Sequence, residues 1–311
     1  MGQGMKVRLA ALTAVAVIGV MLAAAGCSST AAPASTGKII AVGAENEYTS
    51  VISQIGGRYV AASSIMSNPN TDPHTFEASA KVAATVSQAS IVVQNGLGYD
   101  SFMSKIEAAS PSSSRVVITA QTVLGLPDST SNPHLWYDPK TMPVVAARVA
   151  AALGKIQPSH KAYFAANLAT FTKSMATVTD AIAAFKSAHP GVTVATTEPV
   201  ADYLLEAAGI RNLTPFSLQA AIMNETDPSP QDVAIQQGLF TNRSVVVFVY
   251  NQQVTDAITT TYLKLAKANN VPVVGVYETM PTDGFTYQTW MVAELNALTK
   301  AVTSGTSTAK L

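Results

Sequence analysis

From Ser159 to Lys186 the chain runs 28 residues without a proline or glycine, with apolar and aromatic side chains at helical spacing. The stretch opens at Pro158-Ser159 and closes at His189-Pro190-Gly191. As one α-helix it would span about 42 Å, longer than an ordinary domain helix. A rod of that length must be flanked by something that covers its apolar side. On both flanks, short β-branched runs alternate with helix-like stretches. Ile39–Val42, Ile91–Val93 and Val116–Ile118 precede the rod, while Val192–Thr197, Val245–Val249 and Val271–Val276 follow it. Continuous apolar runs separated by helices suit parallel strands covered on both faces. Between them, Ala80–Ala89 and Thr255–Asn269 have helical periodicity, and Ser229-Pro230 supplies an N-cap with proline in the first turn. The pattern predicts an α/β fold of two lobes, each with a mostly parallel sheet flanked by helices, joined by one long linking helix. The expected boundaries are 38–157 for the first lobe, 158–188 for the linker and 189–311 for the second lobe.

The first 27 residues read as a targeting segment. Lys6 and Arg8 precede an apolar run from Leu9 to Ala25, then Gly26 and the only cysteine, Cys27. Cys27 after Ala24-Ala25-Gly26 resembles a bacterial lipobox, although a larger aliphatic residue is usual where Ala24 stands. Lipidation of Cys27 would anchor the chain to the extracytoplasmic face of the cell membrane, with residues 28–37, rich in Ser, Thr, Ala and Pro, as a flexible tether. No second cysteine exists to form an intrachain disulfide. Formal charge is zero and no basic cluster occurs, which argues against a nucleic-acid partner.

Two of the four histidines sit in similar settings, Asp72-Pro73-His74 and Asn132-Pro133-His134. Proline fixes its own φ and biases the preceding residue away from helix, so both imidazoles are presented from stiff, extended loops. Glu198 and Glu278 each close a strand-like run, and Pro199 follows the first of them. Carboxyl ends of parallel strands are where open α/β sheets bind ligands. Two imidazoles and two carboxylates make a mixed site suited to manganese, iron or zinc. His160 and His189 mark helix ends, and Asp72, Glu77, Asp138, Asp202, Glu225 and Asp227 are expected to cap turns or face solvent.

These motifs carry a resemblance. Asp72-Pro73-His74 with Glu77, then Gln94-Asn95-Gly96, Asn132-Pro133-His134-Leu135-Trp136 and Thr197-Glu198-Pro199-Val200-Ala201-Asp202-Tyr203 resemble, in order, motifs of the metal-binding lipoproteins of bacterial manganese/zinc ABC importers. Glu278-Thr279 falls where that family usually has Asp-Ser or Asp-Pro. The resemblance implies a solute-binding protein with a rigid linking helix, a monomer that captures a divalent metal between its lobes and delivers it to an ABC permease. It implies metal ligation by His74, His134, Glu198 and Glu278. Glu198 stands where zinc-type members often carry His, so the cargo is expected to be Mn2+ ahead of Zn2+, with Fe2+ also possible. An enzyme is not expected: a metallohydrolase keeps a coordination position open for water and a base nearby, and no HExxH-like pair exists. An adhesive surface lipoprotein is the remaining alternative.

Overall fold

The computed structural model describes residues 37–70, 76–281 and 284–311. Among them lie two four-stranded parallel sheets. The first contains β1 (Ile39–Glu45), β2 (Val60–Met66), β3 (Ile91–Gln94) and β4 (Val116–Thr119), in the order β2-β1-β3-β4. The second contains β5 (Thr193–Thr196), β6 (Arg211–Asn212), β7 (Val247–Asn251) and β8 (Val273–Val276), in the order β6-β5-β7-β8. The two sheets thus share one topology, and each reverses its winding direction between its first and third strands.

In the first lobe the helices are α1 (Asn46–Gly56), α2 (Ala80–Ser87), α3 (Ser101–Ala109), α4 (Ala120–Leu124) and α5 (Thr141–Ile156). The linker holds α6 (Lys161–Ser174) and α7 (Ala176–Ala188). The second lobe adds α8 (Asp202–Ala207), α9 (Phe216–Met223), α10 (Pro230–Thr241), α11 (Ala257–Ala268) and α12 (Tyr287–Ser304).

The strands form where the sequence is continuously apolar. All four residues of β3 and all five of β7 are buried, as expected for strands covered on both faces. In β7 the two faces separate by period two. Val247 and Val249 join the main core, while Phe248 and Tyr250 pack with Phe240 and Tyr262 beneath the opposite face. Helix α1 buries Tyr48, Val51, Ile52 and Ile55, the spacing of one helical face. Helix α12 is fixed at its start by a capping box between Thr286 and Thr289, and it ends at Gly305 in the left-handed conformation. From the second half of the chain it returns to pack on α7 and α1. The Tyr287 backbone N–H donates to Ser50 Oγ at 3.1 Å there.

The stretch read as one rod is two helices with a break at Met175, preceded by a 3-10 turn at Pro158–His160. Met175 keeps helical backbone angles (φ −63°, ψ −18°). Around it, Ser174 and Thr177 hydroxyls donate to the carbonyls of Phe171 and Ser174, at 2.7 and 2.8 Å. Such back-bonding competes with the helical ladder and bends helices, which accounts for the interruption.

Residues 305–311 lie along the outer edge of β8. The N–H of Gly275 donates to Thr308 O and the N–H of Thr308 to Val273 O, both at 2.9 Å. A Cβ on Gly275 would strike the Ala309 carbonyl, so the tail's close approach requires glycine there.

Candidate metal centre

His134 belongs to a buried polar network with Asn132 and Glu278. Its loop passes between the lobes, and the side chain is fully buried. Asn132 fixes the ring. Its Nδ2 donates to Pro199 O at 2.8 Å, and its Oδ1 accepts the His134 backbone N–H at 3.0 Å. With the amide oriented by both contacts, His134 Nδ1, 2.8 Å from the same Oδ1, must be the protonated ring nitrogen. The other nitrogen, Nε2, then points its lone pair toward Glu278, with Oε2 at 3.5 Å. An imidazole whose far nitrogen is pinned by a carbonyl-type acceptor is the usual orientation device behind a metal-binding histidine. Further stitches hold this loop to the second lobe. Tyr203 Oη donates to Asn132 O at 2.9 Å, Tyr137 Oη to Tyr277 O at 2.9 Å and Tyr287 Oη to Trp136 O at 2.7 Å.

Glu198 and Glu278 each lie two residues beyond a strand end, on β5 and β8, and both are buried. The strand between them is β7, and its last residue joins the two acids. Asn251 Nδ2 donates to Glu198 Oε1 at 2.9 Å and to Glu278 Oε1 at 2.7 Å. The Gln253 N–H occupies Asn251 Oδ1 at 3.0 Å, which fixes the amide with its NH2 toward the acids. Gln253 Oε1 in turn accepts the backbone N–H groups of Glu278 and Thr279, at 2.7 and 2.9 Å. Among the described residues, both carboxylates are therefore oriented by a neutral amide donor.

The first lobe supplies the facing wall. Gly96, Leu97 and Gly98 all have positive φ (89°, 56° and 79°), and this tight loop presents Tyr99. Tyr99 Oη donates to Glu278 Oε2 at 3.0 Å, and its ring lies edge-on to His134 with centroids 5.8 Å apart. Burial and the adjacent Glu278 charge push the Tyr99 phenol well up, so it stays a donor. Asp100 accepts the N–H groups of Asn95 and Gly96. Burial nevertheless raises its carboxyl to about 6, against the lowering by those bonds. Glu45 and Glu47 are fully buried, and their carboxyls are raised well above the usual range by burial first and by surrounding acids second.

Of the four expected ligands, the structure places His134 against Glu278 and joins Glu278 to Glu198 through the Asn251 amide. The fourth, His74, and the lipidation candidate Cys27 lie outside the described residues. Among the described residues no three His, Cys, Asp or Glu side chains are grouped tightly enough to enclose an ion by themselves. Asp202 departs from its expected role at a turn or facing solvent. It accepts from Asn212 and Gln219, both near 3 Å, and braces the loop after Glu198. Asn251, Gln253 and Tyr99 were not anticipated. The only signal for Asn251 is a polar residue closing an apolar run, which is shared by many strand ends. A polar cleft of about 600 Å³ opens beside Asn46, Ser50, Met280 and Phe285. The described residues that line it offer hydroxyl, amide and apolar groups.

Comparison with known proteins gives this geometry its context. The fold is shared with the periplasmic zinc-binding protein TroA from Treponema pallidum, at a TM-score of 0.72 and 16% identity, covering 87% of this chain and 100% of that one. It is shared too with the solute-binding protein FpvC from Pseudomonas aeruginosa in complex with Mn2+, at a TM-score of 0.69 and 20% identity over 86% and 98% of the two chains. In sequence, a putative metal-binding protein from Treponema pallidum is 28% identical over 172 residues, 49% of this chain and 54% of its own length. Another from Thermotoga maritima is 29% identical over 94 residues, 30% of this chain and 33% of its own. These matches span a third to about half of the curated relatives' length. The class these findings define is that of the periplasmic metal-binding solute-binding proteins. The chain belongs to the ZnuA family, zinc-uptake complex component A, periplasmic, whose model matches residues 42–301. No helix among the described residues is long and apolar enough to cross a membrane.

Proposed function

We propose that the protein is an extracytoplasmic lipoprotein, anchored through Cys27, that captures a divalent transition metal between its lobes and hands it to an ABC permease. The cargo is held by His74, His134, Glu198 and Glu278. The observation that carries this reading is the pinned imidazole of His134 facing Glu278 at 3.5 Å, with Glu198 tied to the same Asn251 amide. The described partners of these groups, Asn132, Asn251 and Tyr99, are neutral, so the two carboxylates are groups whose buried charge a cation would balance. Two carboxylates beside two imidazoles form a harder donor set than three imidazoles, which favours manganese over zinc as the physiological cargo.

The experiment is metal analysis of protein purified without added metal or chelator, followed by titration of the metal-free form with Mn2+ and Zn2+. Single His74→Ala and His134→Ala variants should lose most binding of both ions. Wild-type affinity in both variants would defeat the ligand assignment. Zinc is expected to bind with the higher raw affinity whichever ion is transported, so preference is read from uptake of radiolabelled manganese by cells lacking the protein. Restoration of growth by zinc alone would overturn the manganese preference.

A further inference from the structure

The two sheets place the same pair of residues at the same point. In the second sheet β5 pairs with β7 in the register Thr196↔Val249, and two further steps bring Glu198 level with Asn251. In the first sheet β1 pairs with β3 in the register Gly43↔Val93, and two further steps bring Glu45 level with Asn95. Each pair stands at the carboxyl end of the strands flanking a topological switch point, the position where open α/β sheets bind ligands.

The two pairs are wired differently. In the second lobe Asn251 donates to the glutamate beside it. In the first lobe the Asn95 amide is used elsewhere: Nδ2 donates to Gly96 O and Pro133 O, and Oδ1 accepts from Tyr48 Oη. Glu45 is left with no exposed surface and no hydrogen-bond partner at either carboxylate oxygen. It feels the charge of Asp100 first, then of Glu47 and, more weakly, of Glu278, and among the described residues no lysine or arginine offsets it. Its neighbour Asn46 is clamped to the chain just past Glu278, donating to Met280 O at 3.0 Å and accepting the Met280 N–H at 2.8 Å. A buried, unpartnered carboxylate costs several kcal/mol unless it is neutralised.

We propose that Glu45 is a further ligand of the captured metal, the first-lobe counterpart of Glu198, so that three carboxylates rather than two surround the ion. The inference rests on the metal-capture reading above. A third carboxylate raises the oxygen share of the site and matters more to manganese, which accepts more than four donors, than to zinc, which is content with four.

The test is calorimetric titration of the metal-free Glu45→Gln and Glu47→Gln variants with Mn2+ and Zn2+. Glu45→Gln should weaken Mn2+ binding about tenfold or more and Zn2+ binding less, so the preference moves toward zinc. It should not lower the melting temperature of the metal-free form, because it removes a buried acid. Glu47→Gln, at the second residue of α1, is the comparison: Glu47 is likewise fully buried and unpartnered but has no counterpart across the second sheet, and its variant should stay within about threefold. Mn2+ affinity of Glu45→Gln within about threefold of wild type overturns the proposal. Should the variant fold poorly, wild-type crystals soaked in Mn2+ decide the question by anomalous scattering. An ion at coordination distance from Glu45 supports the proposal. An ion against His134 and Glu278 but remote from Glu45 overturns it and leaves metal capture standing. Absence of any bound ion defeats both readings.

Discussion

Asn251 offers the sharpest test of how the site is held together. The Asn251→Ala variant removes two hydrogen bonds to buried carboxylates, at 2.9 and 2.7 Å, and one from the Gln253 backbone at 3.0 Å. A hydrogen bond to a charged group contributes about 1.5–3 kcal/mol and a neutral one about 1 kcal/mol. The loss is therefore about 4 kcal/mol at the low end, even before any added repulsion between the acids. For a chain of this size each kcal/mol moves the melting temperature by roughly 2–4 °C. Scanning calorimetry of the metal-free variant should show a fall of about 8 °C or more. Metal affinity should fall too, by about 10–100-fold, because the amide orients two ligands without touching the ion. A melting temperature within about 2 °C of wild type, with unchanged affinity, would refute the claim that this amide positions Glu198 and Glu278.

Glu294 is fully buried, takes hydrogen bonds from Trp290 Nε1 and Tyr137 Oη, and has its carboxyl raised by burial to about 8. The folded state keeps this proton where the unfolded chain has lost it, so stability should decline as pH rises from about 4.5 to about 8. Glu294→Gln should flatten that decline in urea titrations at pH 5 and pH 8, and an unchanged slope would count against the assignment. Glu45 and Glu47 act in the same direction and remain in the variant, so some slope persists. Metal affinity should weaken below about pH 6.5, where imidazoles protonate; equal affinity at pH 7.5 and 5.5 would remove the histidines from the site. Cys27→Ser should shift the protein from the detergent-requiring membrane fraction to the soluble fraction or leave it unprocessed, and a wild-type protein already soluble after cleavage elsewhere would end the lipoprotein reading.

Six of the eight strands were legible because their residues are apolar and β-branched, and burial on both faces demands that composition. The strand β2 was not, since Ala61, Ala62, Ser63 and Ser64 have weak strand preference and the strand sits at a sheet edge. Strand β6, with only Arg211 and Asn212, is set by pairing with β5 and leaves no local pattern. In the site, His134, Glu198 and Glu278 stood out because proline loops and strand ends mark positions from which side chains point outward. Asn251, Gln253 and Tyr99 were invisible for the opposite reason. Their roles depend on hydrogen bonds between segments distant in sequence, such as Tyr99 with Glu278, and no periodicity encodes these. Glu45 was equally hidden, because its likeness to Glu198 appears only once two sheets of identical order are laid over one another.

The tail along β8 has a consequence for handling the protein. Thr308 occupies backbone groups of Val273 and Gly275 that an outermost strand would otherwise show to neighbouring molecules. Removing residues 305–311 would turn that edge into a template for pairing between molecules, and self-association would follow although no residue of the metal centre had changed.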